Sequence, residues 1–136
     1  MGTWGTGSFD NDDAADFIYD VEQRGASVVK TALQKAANAN GSLDAWDGAV
    51  AVAAAEFVVA GLGHADGLDE SAREVFATFE GRENELAALA PEARLAVSRV
   101  MAKGSELKEL WEEDSVDPDD TQAFLASMER LTLRLG

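Results

Sequence analysis

Apolar side chains recur along most of this chain at intervals of three and four residues, the spacing of one face of an α-helix. The pattern predicts a first helix from about Asn11 to Gln23 and a last helix that begins after Asp117. The positions that define the helical faces are Ala14, Phe17, Ile18 and Val21; Val29, Leu33 and Ala36; Val75, Phe76 and Phe79; Leu95, Val97, Val100 and Met101; Leu107, Leu110 and Trp111; and Phe124, Met128, Leu131 and Leu135.

One segment is apolar on nearly every side instead of on one face. It runs from Ala49 to Ala60, follows a predicted N-cap at Asp44, and contains one charged residue, Glu56. A helix that is hydrophobic all round is typical of a buried position. We therefore expect this helix to be the element around which the others pack.

Helix-start signals support the periodicity: Ser71 and Glu74 have capping-box spacing, and Pro91 and Pro118 suit a first helical turn. No segment shows the sustained period-two alternation of a strand. The sequence thus predicts an all-α single domain over residues 1–136, an orthogonal or irregular bundle of about six helices with a glycine-rich N-terminal arm. The aromatic residues expected to be largely buried in it are Trp4, Trp46, Trp111 and Phe124.

The chain opens with the motif MGTWGTGSFDNDD, in which glycines surround a tryptophan and acids follow. The glycine spacing matches neither a dinucleotide fingerprint nor a P-loop, and the acids lack the spacing of a calcium loop. Carboxylates at a helix start are stabilised by the free backbone N–H groups there. We interpret the motif as a helix cap and a core anchor, with a metal or ligand site as the alternative. Its residues are Trp4, Gly5, Gly7, Phe9, Asp10, Asn11 and Asp13.

The formal net charge of −15 is concentrated in two segments. Residues 1–22 contribute −6 and residues 106–120 contribute −7. If these segments meet, they form a negative face that repels nucleic acid and attracts basic proteins; solubility is the other explanation for the acids. The candidate binding residues on this face are Asp12, Asp16, Glu112, Glu113, Asp114, Asp119 and Asp120.

Several chemistries are excluded by composition. The chain has no cysteine, which excludes disulfides, thiolate metal sites and cysteine nucleophiles. His64 is the single histidine, and we expect it to face solvent in a glycine-flanked loop. We expect no cofactor and no metal site. The N-terminus lacks a signal-peptide pattern and the apolar segment is too short to cross a bilayer, so we expect a cytoplasmic protein without a membrane partner.

Glu56 interrupts the most apolar helix, where an unpaired carboxylate is costly. The interpretation we favour is a structural ion pair, or hydrogen bonds to the backbone of the N-terminal arm. Catalysis by Glu56 is the alternative.

Three stretches of the chain, MGTWGTGSFDNDDAADF, AAAEFVVAGLG and SELKELWEED followed by FLASMERL, resemble the bacterial domain-of-unknown-function family numbered 4259. The resemblance extends over essentially the whole chain. It implies a small, mostly helical bacterial protein with no established activity. It also implies a tryptophan in the last helix, in whose place this chain has Phe124, a change that keeps an aromatic anchor.

The functional hypothesis that follows from charge is a non-enzymatic acidic binding protein, in the manner of an immunity or inhibitor protein, that engages a basic protein and no nucleic acid. The alternative is a small-ligand-binding protein or a carboxylate-based enzyme that uses Glu56 and the N-terminal acids. The oligomeric state is left open.

Overall fold

The computed structural model describes residues 12–136 of the chain, with side chains from Ala15 onward. This part forms eight α-helices and one turn of 3₁₀-helix. The helices are α1 (Asp12–Arg24), α2 (Ala26–Ala37), α3 (Ala45–Gly61), α4 (Glu70–Ala77), α5 (Glu83–Ala87), α6 (Ala90–Val100), α7 (Glu106–Trp111) and α8 (Pro118–Leu135), and the 3₁₀ turn is Ala65–Gly67, between α3 and α4.

The all-α prediction is confirmed: within residues 12–136 the β-type pairing is limited to an isolated bridge between Leu43 and Ser105. The structure has eight helices where about six were predicted, and the apolar segments found in the sequence correspond to every one of them except α5. α5 was not predicted because it has five residues and one buried side chain, Leu86, which leaves no repeat to detect. None of the helices in the described part has the length and apolar character needed to cross a bilayer.

Helix α3 lies at the centre of the fold, as predicted. Every residue from Ala51 to Ala60 is buried, and the helix contacts α1, α2, α5, α6, α7 and α8. Buried side chains from all eight helices join in one hydrophobic cluster. At the end of α3 a glycine allows close packing, because a Cβ atom on Gly61 would lie 2.8 Å from Cβ of Leu86 in α5.

Two of the predicted helix starts are confirmed by their capping hydrogen bonds. Oδ1 of Asp44 accepts from the backbone N–H of Asp47 at 2.7 Å at the start of α3. Oδ1 of Asp117 accepts from the backbone N–H of Asp119 at 2.8 Å at the start of α8. The short side chains satisfy N–H groups that have no partner within the helix.

The predicted capping box of Ser71 and Glu74 is wrong. Asp69 caps α4 instead, since its Oδ1 accepts from the backbone N–H of Ala72 at 2.8 Å. The extended backbone of Asp69 brings its carboxylate over the first turn, and the helix begins two residues earlier than the capping box implied. Ser71 therefore lies inside α4.

The burial predictions for the aromatic residues are confirmed in part. Trp111 and Phe124 are buried and stacked, with ring centroids 5.8 Å apart. Trp46 is 52% exposed, against prediction, because it lies in the first turn of α3, before the enclosed segment begins. Leu95 is also exposed, since it falls off the face of α6 that carries Ala93, Ala96, Val97 and Val100. Trp4 lies outside the described residues.

Candidate functional site

A buried ion pair joins α3 to α8. The carboxylate of Glu56 is 1% exposed and accepts two hydrogen bonds from Arg130, Nη2 to Oε2 at 2.6 Å and Nη1 to Oε1 at 3.3 Å. The Arg130 side chain is 29% exposed, so its outer edge reaches solvent while its guanidinium pairs inward. The structural ion pair expected for Glu56 is therefore present, and its partner is an arginine of α8.

The 3₁₀ turn between α3 and α4 closes over this pair. A Cβ atom on Gly67 would lie 2.5 Å from Oε1 of Glu56 and 2.7 Å from Nη1 of Arg130. Contacts this short are not tolerated, so any larger residue at this position would displace the turn or the ion pair. Glycine is required here for close approach of the backbone to the charged groups.

A second ion pair lies beside the first. Nη1 and Nη2 of Arg134 donate to Oδ1 and Oδ2 of Asp66 at 2.7 and 3.0 Å. These hydrogen bonds lower the pKa of the exposed Asp66 carboxyl below its ordinary value of 3.8. The hydrogen bond to Glu56 raises the pKa of the Arg130 guanidinium. We call Glu56, Asp66, Arg130 and Arg134 the charge cluster.

The geometry of the charge cluster favours a structural role over catalysis. Both carboxylate oxygens of Glu56 accept from the same guanidinium, and the side chain is sealed from water. A general acid or base must instead exchange a proton with a substrate or with solvent within hydrogen-bonding distance. The bidentate arginine occupies that position.

Sequence reasoning missed three of the four members of the charge cluster. Arg130 and Arg134 lie one turn apart on α8, beside the apolar face that carries Met128 and Leu131. Arginines beside an apolar face are common in amphipathic helices, so this position alone does not identify a partner for Glu56. Their distance along the sequence from Glu56 hides the pairing.

The C-terminal acidic segment is placed at the turn between α7 and α8. All of its carboxylate residues from 112 to 120 are exposed. We call them the acidic corner: Glu112, Glu113, Asp114, Asp117, Asp119 and Asp120. Over the described residues, the one ion pair that reaches the acidic corner is Lys108 with Glu112, at 3.3 Å.

Local packing fixes the conformation of the acidic corner. Trp111 at the end of α7 stacks on Phe124 of α8. The hydroxyl of Thr121 donates to the backbone carbonyl of Trp111, and Asp117 caps α8. These contacts join the turn at both ends to α7 and α8.

The N-terminal acids lie on a different helix. Asp16 is exposed on α1; Asp12 and Asp13 belong to α1, but their side chains lie outside the described part. The main contacts of α1 are with α2, α3 and α4, whereas those of α7 are with α3 and α8. The two acidic segments thus pack against α3 through separate helices. The motif residues Trp4, Gly5, Gly7, Phe9, Asp10 and Asn11 lie outside the described residues.

The described residues also bear on metal and small-ligand sites. Among the described side chains, no three His, Asp or Glu residues converge as metal ligands, and His64 is exposed as predicted. A groove of about 340 Å³ lies between α1, α2 and the start of α3, with Trp46 on its rim. Its charged residues are balanced in sign: Asp20, Arg24, Lys35 and Asp47.

A comparison with family models confirms the resemblance seen in the sequence. The model of the domain of unknown function DUF4259 matches residues 2–126. The chain belongs to the DUF4259 family. No curated protein and no solved structure matches it. The DUF4259 match includes Glu56, Gly67 and the acidic corner, and ends within α8 before Arg130.

The Arg130→Met variant of this DUF4259 protein tests the buried ion pair. Methionine keeps the aliphatic contacts of the arginine but removes the donors to Glu56. We expect the free energy of unfolding, measured in urea, to fall by about 3–5 kcal/mol, the cost of removing one member of a buried ion pair. Arg134→Met is the matched control one turn later, and we expect a smaller loss because Asp66 stays hydrated. Equal losses in the two variants would refute the buried role of Arg130.

The Asp66→Asn variant tests the pH dependence of the second pair. Because folding lowers the pKa of Asp66 below 3.8, its ionised form stabilises the fold above that value, and the contribution is lost as pH falls through the lowered pKa. Wild type should exceed Asp66→Asn in stability at neutral pH, and the difference should vanish in acid. The measurement is urea unfolding of both proteins across this range. A difference that stays constant with pH would contradict the assignment.

Proposed function

We propose that this protein is a non-enzymatic acidic binding protein, in the manner of an immunity or inhibitor protein, whose acidic corner engages a basic partner protein. Asp12 and Asp16 of α1, predicted from the sequence as binding residues, stay predicted contacts for such a partner. The observation that carries the proposal is the excess negative charge of the acidic corner: its six carboxylates are exposed, and over the described residues Lys108, paired with Glu112, is the one base that contacts them.

Stabilisation of helix α8 explains the positions of three of the six acids in the acidic corner. Asp117 caps α8, and Asp119 and Asp120 lie in its first turn, where the helix dipole favours negative charge. Glu112, Glu113 and Asp114 lie at a helix C-terminus, that of α7. They follow the last residues of α7, where the free carbonyl groups carry partial negative charge and disfavour carboxylates.

Concentrated like charge at an unfavourable helix end destabilises the folded state, so its presence needs a compensating benefit. A basic partner supplies one. General solubility does not require the acids to be gathered at one turn, and several exposed positions elsewhere on the surface would serve it equally well.

The local packing of the acidic corner supports the same function. The stacked pair Trp111 and Phe124 and the cap at Asp117 fix the backbone of the turn that carries the carboxylates. A preorganised surface loses less conformational entropy when it binds. Charges of one sign on such a surface also steer an oppositely charged protein and raise its association rate.

Binding of a small ligand is the second candidate function. The groove between α1, α2 and α3 favours it, because its lining combines an aromatic ring that is 52% exposed with apolar residues and charged groups of both signs. A carboxylate-based enzyme that uses Glu56 has less support, since Arg130 occupies both oxygens of that side chain.

The charge-reversal variant Glu113→Lys/Asp114→Lys tests the proposed function. These two residues do not cap a helix, so the fold should be preserved, which circular dichroism checks. The wild-type protein should retain a basic protein from lysate of the source organism at low salt and lose it at high salt, because screening weakens exposed charge pairs. The variant should fail to retain that protein at either salt concentration.

The matched control is Glu80→Lys/Glu129→Lys, which changes the net charge equally at exposed positions outside the acidic corner. It should retain the partner nearly as well as wild type. The proposal fails if no protein is retained at low salt, if retention is indifferent to salt, or if both variants lose the partner to the same extent.

A further inference from the structure

The turn between α2 and α3 is held by an arginine from α6. Nη2 of Arg99 donates to the carbonyl of Gly41 at 2.6 Å, and Nε donates to the carbonyl of Ala39 at 3.4 Å. The remaining nitrogen, Nη1, is buried without a hydrogen-bond partner in the described part of the chain. Asn40 lies between the two carbonyls that the arginine holds, and it is exposed.

Asn40 differs from the other described asparagines, Asn38 and Asn84, in the hydrogen bonding of the next residue's backbone N–H. After Asn38, the N–H of Ala39 donates to the carbonyl of Ala36 at 3.2 Å. After Asn84, the N–H of Glu85 donates to the carbonyl of Arg82 at 3.0 Å. The N–H of Gly41 has no backbone or side-chain acceptor in residues 12–136.

Gly41 also presents no steric barrier. Its φ is +78°, in the left-handed region that favours glycine, and the space that a Cβ atom would occupy is empty to 4 Å. The backbone nitrogen of Gly41 can attack the Asn40 side chain only if it is unhindered and free of a hydrogen bond. Both conditions are met here.

We propose that Asn40 is a site of spontaneous deamidation in the folded protein. The deprotonated amide nitrogen of Gly41 attacks Cγ of Asn40, a new N–C bond closes a five-membered succinimide, and the side-chain nitrogen leaves as ammonia. Water then opens the ring. Opening at the side-chain carbonyl gives aspartate, and opening at the main-chain carbonyl gives isoaspartate, with water the one co-reactant in either case.

The two products have opposite effects on the Arg99 contact. Aspartate keeps the backbone spacing, so the carbonyls of Ala39 and Gly41 can both still accept from Arg99. Isoaspartate inserts one more carbon into the main chain between the carbonyls of Ala39 and Gly41. The planar guanidinium then no longer matches both acceptors, and the turn is released from α6.

The test is incubation of the folded protein at mildly alkaline pH, followed by tryptic digestion and tandem mass spectrometry. One tryptic peptide, residues 36–73, contains both Asn38 and Asn40, so each molecule carries its own control. We expect conversion at Asn40, none at Asn38, and isoaspartate that is labelled by an isoaspartyl methyltransferase. The Asn40→Gln variant should lose that label, because glutamine does not close the five-membered ring.

A free peptide of sequence ANGSL, incubated in parallel, gives the rate of deamidation of the same sequence in the absence of the folded structure. The proposal is overturned if Asn40 remains intact in the protein over a period in which the peptide is converted, or if Asn38 is converted equally fast. For the Arg99 contact, the isolated isoaspartyl protein should melt at a lower temperature than the Asn40→Asp variant. Equal melting temperatures would overturn the release of the turn.

Discussion

The charge of Glu56 in the most buried helix is the constraint on which the rest of the structure depends. Helix α3 is enclosed by its neighbours, and an unpaired carboxylate in such surroundings is strongly unfavourable. Arg130 supplies the counter-charge from α8, and Gly67 leaves the space that the pair needs. Helix α8 is therefore held against α3 by an ion pair as well as by its apolar face.

Helix α8 carries charge of opposite sign at its two ends. Arg130 and Arg134 are its basic residues, and both are engaged by carboxylates of the charge cluster in its C-terminal half. Its N-terminal half, which carries Asp119 and Asp120 of the acidic corner, contains no basic residue. One helix thus holds the partner of the buried carboxylate at one end and part of the negative surface at the other.

The sequence was sufficient to predict those features of the fold that depend on one local signal. The apolar run of α3, the periodic face of α8 and the caps at Asp44 and Asp117 all depend on neighbours within a few residues. Prediction failed where a distant contact or a competing cap decided, as with Arg130, Asp69 and the exposed Trp46. Charge alone indicates which acids to consider, but the common face proposed for the two acidic segments depends on tertiary placement, which no local pattern encodes.

Native-state hydrogen exchange tests the central claim, that the ion pair makes α3 and α8 one cooperative unit. If it does, the amides of Ala51–Ala60 and those around Arg130 should exchange through openings of the same free energy, equal to that of global unfolding. The claim is contradicted if the amides around Arg130 exchange through a separate opening of much lower free energy while those of Ala51–Ala60 remain protected.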